Sequence, residues 1–138
     1  MFMGPAGSAK SILATRVALT AAERGEKATV YAFEENLDTL INRSAGLGMD
    51  LQTHLARGHL ALRTIDPLEL TPGKFADMVR MAVDDGATMI VVDSLTGYVA
   101  SMGAATDVAL QIRNLLSFLA QRNVTTLLVS IPAWSAWL

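Results

Sequence analysis

A short stretch near the amino terminus has the residue types and spacing to hold polyphosphate. Gly4-Pro5-Ala6-Gly7-Ser8-Ala9-Lys10-Ser11 follows the phosphate-loop spacing G-x-x-x-x-G-K-[ST] at every fixed position except one, where Ala9 replaces the second glycine. In such a loop successive backbone N–H groups wrap the phosphate oxygens, and the helix that follows points its positive dipole end at them. Gly4, Pro5, Ala6, Gly7, Ser8, Ala9, Lys10, Ser11 and Ile12 are therefore the candidate nucleotide-binding residues. Lys10 is placed to reach the outer phosphates, and the Ser11 hydroxyl to bind magnesium. A methyl group at Ala9 crowds the phosphates or resists the backbone angles that glycine adopts, which predicts weakened binding.

Carboxylates at the ends of apolar runs extend this chemistry. Asp93 closes Met89-Ile90-Val91-Val92, the layout of a second magnesium-site ligand at the carboxyl edge of a buried strand. Glu34 and Glu35 stand at the same kind of edge, where a carboxylate within reach of a water near the γ-phosphate acts as a general base. Adjacent side chains of an extended segment point to opposite faces, so one of the two would meet that water. His54 and His59 lack a second ligand type at metal-binding spacing and read as structural or solvated. Ser94 has neither a nucleophile-elbow pattern nor a histidine nearby in sequence, which leaves serine-hydrolase chemistry with little support.

Alternating strands and helices must position these groups. Leu13, Val17 and Ala21, widened by Ile12 and Leu19, predict an amphipathic helix from Ser11 to Arg24, stopped at Gly25. Ala28 to Phe33 is a buried strand ending in carboxylates. Asn36 caps a helix through Ser44, with Leu37, Leu40 and Ile41 on one face, and Asp50 caps a shorter one ending at Gly58. His59 to Ile65 is a strand. Thr71-Pro72 opens a helix carried by Phe75, Met78, Val79, Ala82 and Val83 to Gly86. Met78, Met81 and Met89 follow core periodicities. Thr88 to Asp93 is the next strand, Ser94 to Ala105 a loop, and Val108, Ile112, Leu115, Leu116 and Leu119 mark a helix ending near Asn123. Val124 to Ile131 is the last strand. Strands apolar on both faces, each followed by a helix, define an α/β class with a mainly parallel central sheet covered on both sides, because parallel neighbours require crossovers.

Composition narrows the function. A chain of 138 residues, 51% hydrophobic, buries one sizeable core. The formal charge of −2, from 11 basic and 13 acidic residues without long runs, leaves no electrostatic footprint for nucleic acid. No cysteine is present, which excludes disulfides and thiolate metal sites and fits a reducing, cytoplasmic compartment. No apolar run reaches the ~18 residues of a spanning helix, so no membrane role is expected. Met1 to Met3 is short for a first strand, since strands run ~5 or 6 residues. The tail, residues 132–138, carries both tryptophans, Trp134 and Trp137, and no charge. The chain thus reads as a nucleotide-binding domain over residues 1–131 followed by an apolar tail, cut at both ends.

Taken together, Gly4-Pro5-Ala6-Gly7-Ser8 with Lys10-Ser11, Arg24-Gly25-Glu26, Phe33-Glu34-Glu35, Leu47-Gly48-Met49-Asp50-Leu51, Gly58-His59-Leu60 and Val91-Val92-Asp93-Ser94-Leu95-Thr96 resemble the KaiC-like branch of the RecA-superfamily P-loop ATPases. The order and spacing agree from Gly4 to about Ser130. The resemblance implies a three-layer RecA-like fold, ATP and magnesium held by the loop, a catalytic glutamate in the Glu34-Glu35 pair, and Asp93 as the Walker B carboxylate. It also implies a homo-oligomeric ring with ATP between subunits, the adjoining subunit offering basic residues from beyond Ile131. Ala9, the short first strand, and Ile131-Pro132 at the position where the family places a polar γ-phosphate sensor depart from that pattern. The expected activity is a magnesium-dependent ATPase acting in signalling or regulation through oligomer assembly. The rival classes are a non-hydrolysing nucleotide-dependent interaction module and a RecA-like recombination accessory; the acidic balance opposes the second. Exposed sheet edges predict self-association.

Overall fold

A computed structural model describes residues 2–3, 10–33, 35–66, 68–100 and 107–130. The elements follow the order β1 (Phe2–Met3), α1 (Lys10–Glu23), β2 (Ala28–Ala32), α2 (Leu37–Gly46), α3 (Leu51–Ala56), β3 (Leu60–Thr64), α4 (Pro72–Asp84), β4 (Met89–Asp93), α5 (Leu95–Ala100), α6 (Val108–Gln121) and β5 (Thr125–Ser130). The strands form one sheet in the order β1-β5-β4-β2-β3, and every pairing is parallel. β5 therefore separates the first strand from β4, and the carboxyl ends of all five strands share one edge.

Side-chain alternation divides the core into two layers. Val30, Leu62, Met89, Val91 and Val129 pack beneath α1, α2 and α3, together with Ala14, Ala18, Leu19, Leu40 and Leu51. Tyr31, Phe33, Ile90, Val92 and Leu128 pack on the other face against Phe75 and Val79 of α4, Leu95 and Tyr98 of α5, and Ile112 and Leu119 of α6. The result is a three-layer α/β sandwich, with the parallel sheet expected from the alternating elements and the RecA-like layering that the family resemblance implies.

Helix starts obey local chemistry. Asn36 Oδ1 accepts from Thr39 N at 2.8 Å, Asp50 Oδ1 from Thr53 N at 3.2 Å, Thr71 Oγ1 from Lys74 N at 3.1 Å and Asp107 Oδ1 from Leu110 N at 3.0 Å. Each satisfies an amide that the helix itself leaves without a partner. The end of α4 reverses through Gly86 at φ 102°, a backbone region closed to most side chains.

Three expectations need correction. The apolar stripe assigned to α1 holds at Leu19 and Ala21, with Ile12 and Val17 packed at its margin, but Leu13 is 53% exposed and Ala14, Thr15, Ala18 and Ala22 complete the buried face instead. Small residues face the sheet because bulky Val30, Val91 and Val129 already fill that layer, and alanines let the helix lie close. Met81, assigned to the core, is 70% exposed. The stretch after Asp93, read as a loop because of its Gly, Ser and Ala content, contains helix α5. Its first turn is closed by Gly97 N donating to Ser94 Oγ at 3.1 Å and Tyr98 N donating to Ser94 O at 3.0 Å. Burial of Leu95 and Tyr98 against α4 and α6 overrides the weak propensity of the surrounding residues. Among the described residues no helix is long and apolar enough to cross a membrane.

Candidate functional site

Helix α1 begins at Lys10, so Lys10, Ser11 and Ile12 form its first turn, and all are partly buried. The alanine face presses α1 onto the sheet and brings that turn over the carboxyl edge. Thr15, itself 2% exposed, donates from Oγ1 to Ser11 O at 2.8 Å. Asp93 ends β4 on the same face as Met89 and Val91, the face that α1 covers. Parity and helix placement thus converge, and Ser11 Oγ donates to Asp93 Oδ1 at 3.1 Å across 82 positions of sequence. Ile12 packs against the core of that face.

The backbone of Asp93 fixes a second group. Its carbonyl accepts from Phe33 N at 2.8 Å, tying the residue before the glutamate pair to the end of β4. Asp93 also faces Ala32 on one side and Val129 on the other in the parallel register. Glu35 thus follows the strand next to β4, at the edge where α1 and α5 leave for opposite faces of the sheet. In doubly wound sheets ligands bind at such an edge.

Glu35 lies at this edge with its side chain 21% exposed, and its Oε1 meets Arg43 Nη1 of α2 at 2.8 Å. Gly4, Pro5, Ala6, Gly7, Ser8, Ala9 and Glu34 lie outside the described residues, as do Ile131, Pro132 and the tail. The structure therefore brings together Ser11 and Asp93, places Lys10 beside Ser11 on the same turn, and sets Glu35 two positions after the Phe33 anchor. His54 sits on α3 and His59 just before β3, His59 N donating to His54 O at 3.1 Å. Among the described residues no group of three or more His, Asp or Glu side chains is arranged to hold a metal ion. A serine hydroxyl beside one carboxylate is instead a hard, all-oxygen pair of the kind that takes magnesium together with substrate phosphates and water.

Two residues of this edge carry no signal in the phosphate-loop pattern. Arg43 follows Glu35 by a full helical segment, and no local spacing rule pairs them. Ser130 ends β5 opposite Met3 of β1, is 1% exposed, and alternation from Val129 turns its side chain toward the α5 and α6 face. A polar residue closing an otherwise apolar run, as Asp93 does, was the available signal.

Sheet order, helix α1 and the Ser11–Asp93 contact define a P-loop nucleotide-binding domain. Residues 1–133 match the family model described as ATPase: KaiC, and the chain belongs to that family. No curated protein matches the chain.

Proposed function

We propose that the chain binds magnesium-ATP at the carboxyl edge between β1 and β4 and hydrolyses it by in-line attack of water on the γ-phosphate. The observation that carries this reading is the hydrogen bond from Ser11 Oγ to Asp93 Oδ1, which joins the loop serine to the strand-ending carboxylate. Backbone amides from Gly4 to Ile12 would hold the phosphates, and Lys10 would donate charge-assisted hydrogen bonds to their outer oxygens. Ser11 and Asp93 would hold the magnesium, which supplies positive charge to phosphate oxygens as negative charge develops. Glu34 or Glu35 would orient the water, and the engagement of Glu35 by Arg43 favours Glu34 in that role.

The test is phosphate release by the unsubstituted chain, by Lys10→Ala, and by Glu34→Gln and Glu35→Gln singly and combined. Lys10→Ala and Glu34→Gln should each lower turnover by about a hundredfold or more. Equal rates across the set would remove the mechanism.

A second reading has Ala9 in its favour. If the methyl group there misplaces the γ-phosphate, nucleotide would control subunit assembly in a signalling or regulatory role without turnover. Nucleotide-dependent oligomerisation in light scattering, with no phosphate released, selects this reading, and steady turnover rejects it.

A further inference from the structure

Arg43 lies in α2 between two buried positions, Leu40 at 2% and Ser44 at 1% exposure. Its side chain runs back to the carboxyl edge of the sheet, where Nη1 forms an ion pair with Glu35 Oε1 at 2.8 Å. Its Nε and Nη2 atoms are buried and have no hydrogen-bond partner among the described residues. Hydrogen bonds among the described residues do not offset the burial of these two donors. An ion pair whose side chains remain 37% and 21% exposed also adds little to stability.

The contact does fix geometry. Before Glu35 the chain is anchored where Phe33 N donates to Asp93 O at 2.8 Å, and after it where Asn36 caps α2 through Thr39 N at 2.8 Å. Arg43 supplies the side-chain anchor between these two backbone anchors. We infer that Arg43 is a positioning residue: by clamping Glu35 it holds the turn from β2 into α2 in the geometry that hydrolysis at this edge requires. The inference rests on the hydrolytic reading above and deepens it, because it separates the glutamate pair into a clamped member and its neighbour.

The test combines steady-state phosphate release, the KM for ATP and thermal midpoints for the unsubstituted chain, Arg43→Ala, Arg43→Lys, Glu35→Ala and the Arg43→Ala, Glu35→Ala double variant. Arg43→Ala and Glu35→Ala should each lower kcat about tenfold to hundredfold while KM stays unchanged, since misplacement by about 1 Å has effects of that order. The double variant should be no slower than either single one, because both remove the same contact. Arg43→Lys, which keeps the charge and loses the fork, should fall between. Glu35→Ala removes the contact from the turn side, so a chain that fails to fold with Arg43→Ala still leaves the inference exposed to test. Unchanged kcat in Glu35→Ala, or losses that add in the double variant, would overturn it. No turnover in the unsubstituted chain overturns the hydrolytic reading, and this inference with it; turnover that these substitutions leave untouched overturns this inference alone.

Discussion

The Ser11 hydroxyl donates to Asp93 Oδ1 at 3.1 Å, joining the first turn of α1 to the last residue of β4. Two features of the sequence make the contact. Alanines at positions 14, 18, 21 and 22 let α1 lie against the valines of the sheet, and the parity of β4 turns Asp93 to that same face. The two oxygens that would hold magnesium therefore stand side by side because of packing remote from them.

Asp93→Asn retains the size of the side chain and an acceptor for Ser11 while removing the charge. Its fold should match that of the unsubstituted chain, and magnesium should no longer tighten ATP binding. Turnover should drop by about a hundredfold or more. Circular dichroism checks the first statement, and calorimetry and phosphate release across a magnesium titration check the others.

Ala9→Gly should tighten nucleotide binding. Relief of a strained or crowded backbone position of ~1–3 kcal/mol corresponds to at least about fivefold in affinity. Calorimetric comparison of the two chains decides it, and equal affinities would show that the methyl group does no harm.

Phe75 organises the layer opposite α1. It is 1% exposed, and its ring centroid lies 5.2 Å from Tyr31, 5.5 Å from Phe33 and 5.1 Å from Tyr98. Phe75→Ala should cost about 3–5 kcal/mol of stability. Because Phe33 and Tyr98 flank the site edge, nucleotide affinity should weaken together with the urea midpoint.

Stability should depend on pH at both extremes. Tyr31, 2% exposed and donating to Met78 O at 3.2 Å, has its pKa pushed by burial from 10.0 up to about 12, against the opposing charge of Arg63. The native state then binds this proton more tightly than the unfolded chain does, so the contribution is intact below pH 10 and is lost as pH rises to about 12. Tyr31→Phe should flatten that decline in denaturation midpoints. At the acid end, the hydrogen bond and then the charge of Lys27 lower the Asp85 pKa, and hydrogen bonds from Thr53 lower that of Asp50. Their contributions are present above the ordinary carboxylate range and disappear as pH falls through the lowered values. Lys27→Met should remove the Asp85 part.

Much of this arrangement was legible from local chemistry, and the remainder depends on distant pairing. Asn36, Asp50 and Thr71 announce the starts of α2, α3 and α4 because a capping side chain acts within a few residues. Asp93 was legible because a carboxylate is too costly to bury within an apolar strand and so marks the point where that strand reaches the sheet edge. Helix α5 was not, since what stabilises it is burial of Leu95 and Tyr98 against helices remote in sequence. The insertion of β5 between β1 and β4 is likewise a property of the assembled sheet. Leu19 and Ala21 of the buried face of α1 were legible, whereas Ala14, Ala18 and Ala22 were not, because alanine carries little hydrophobic signal although it is what close approach to the sheet requires.

If the first turn of α1 and the end of β4 together form one magnesium-ATP site, Lys10 must contribute to the affinity of that site. Heat-detected titration of magnesium-ATP into the unsubstituted chain, run beside Lys10→Ala, tests this without reliance on turnover. Saturable binding is expected, weakened at least about tenfold by Lys10→Ala through the loss of a charge-assisted contact to phosphate. Identical isotherms for the two chains, or no binding heat in either at any temperature tried, would contradict it.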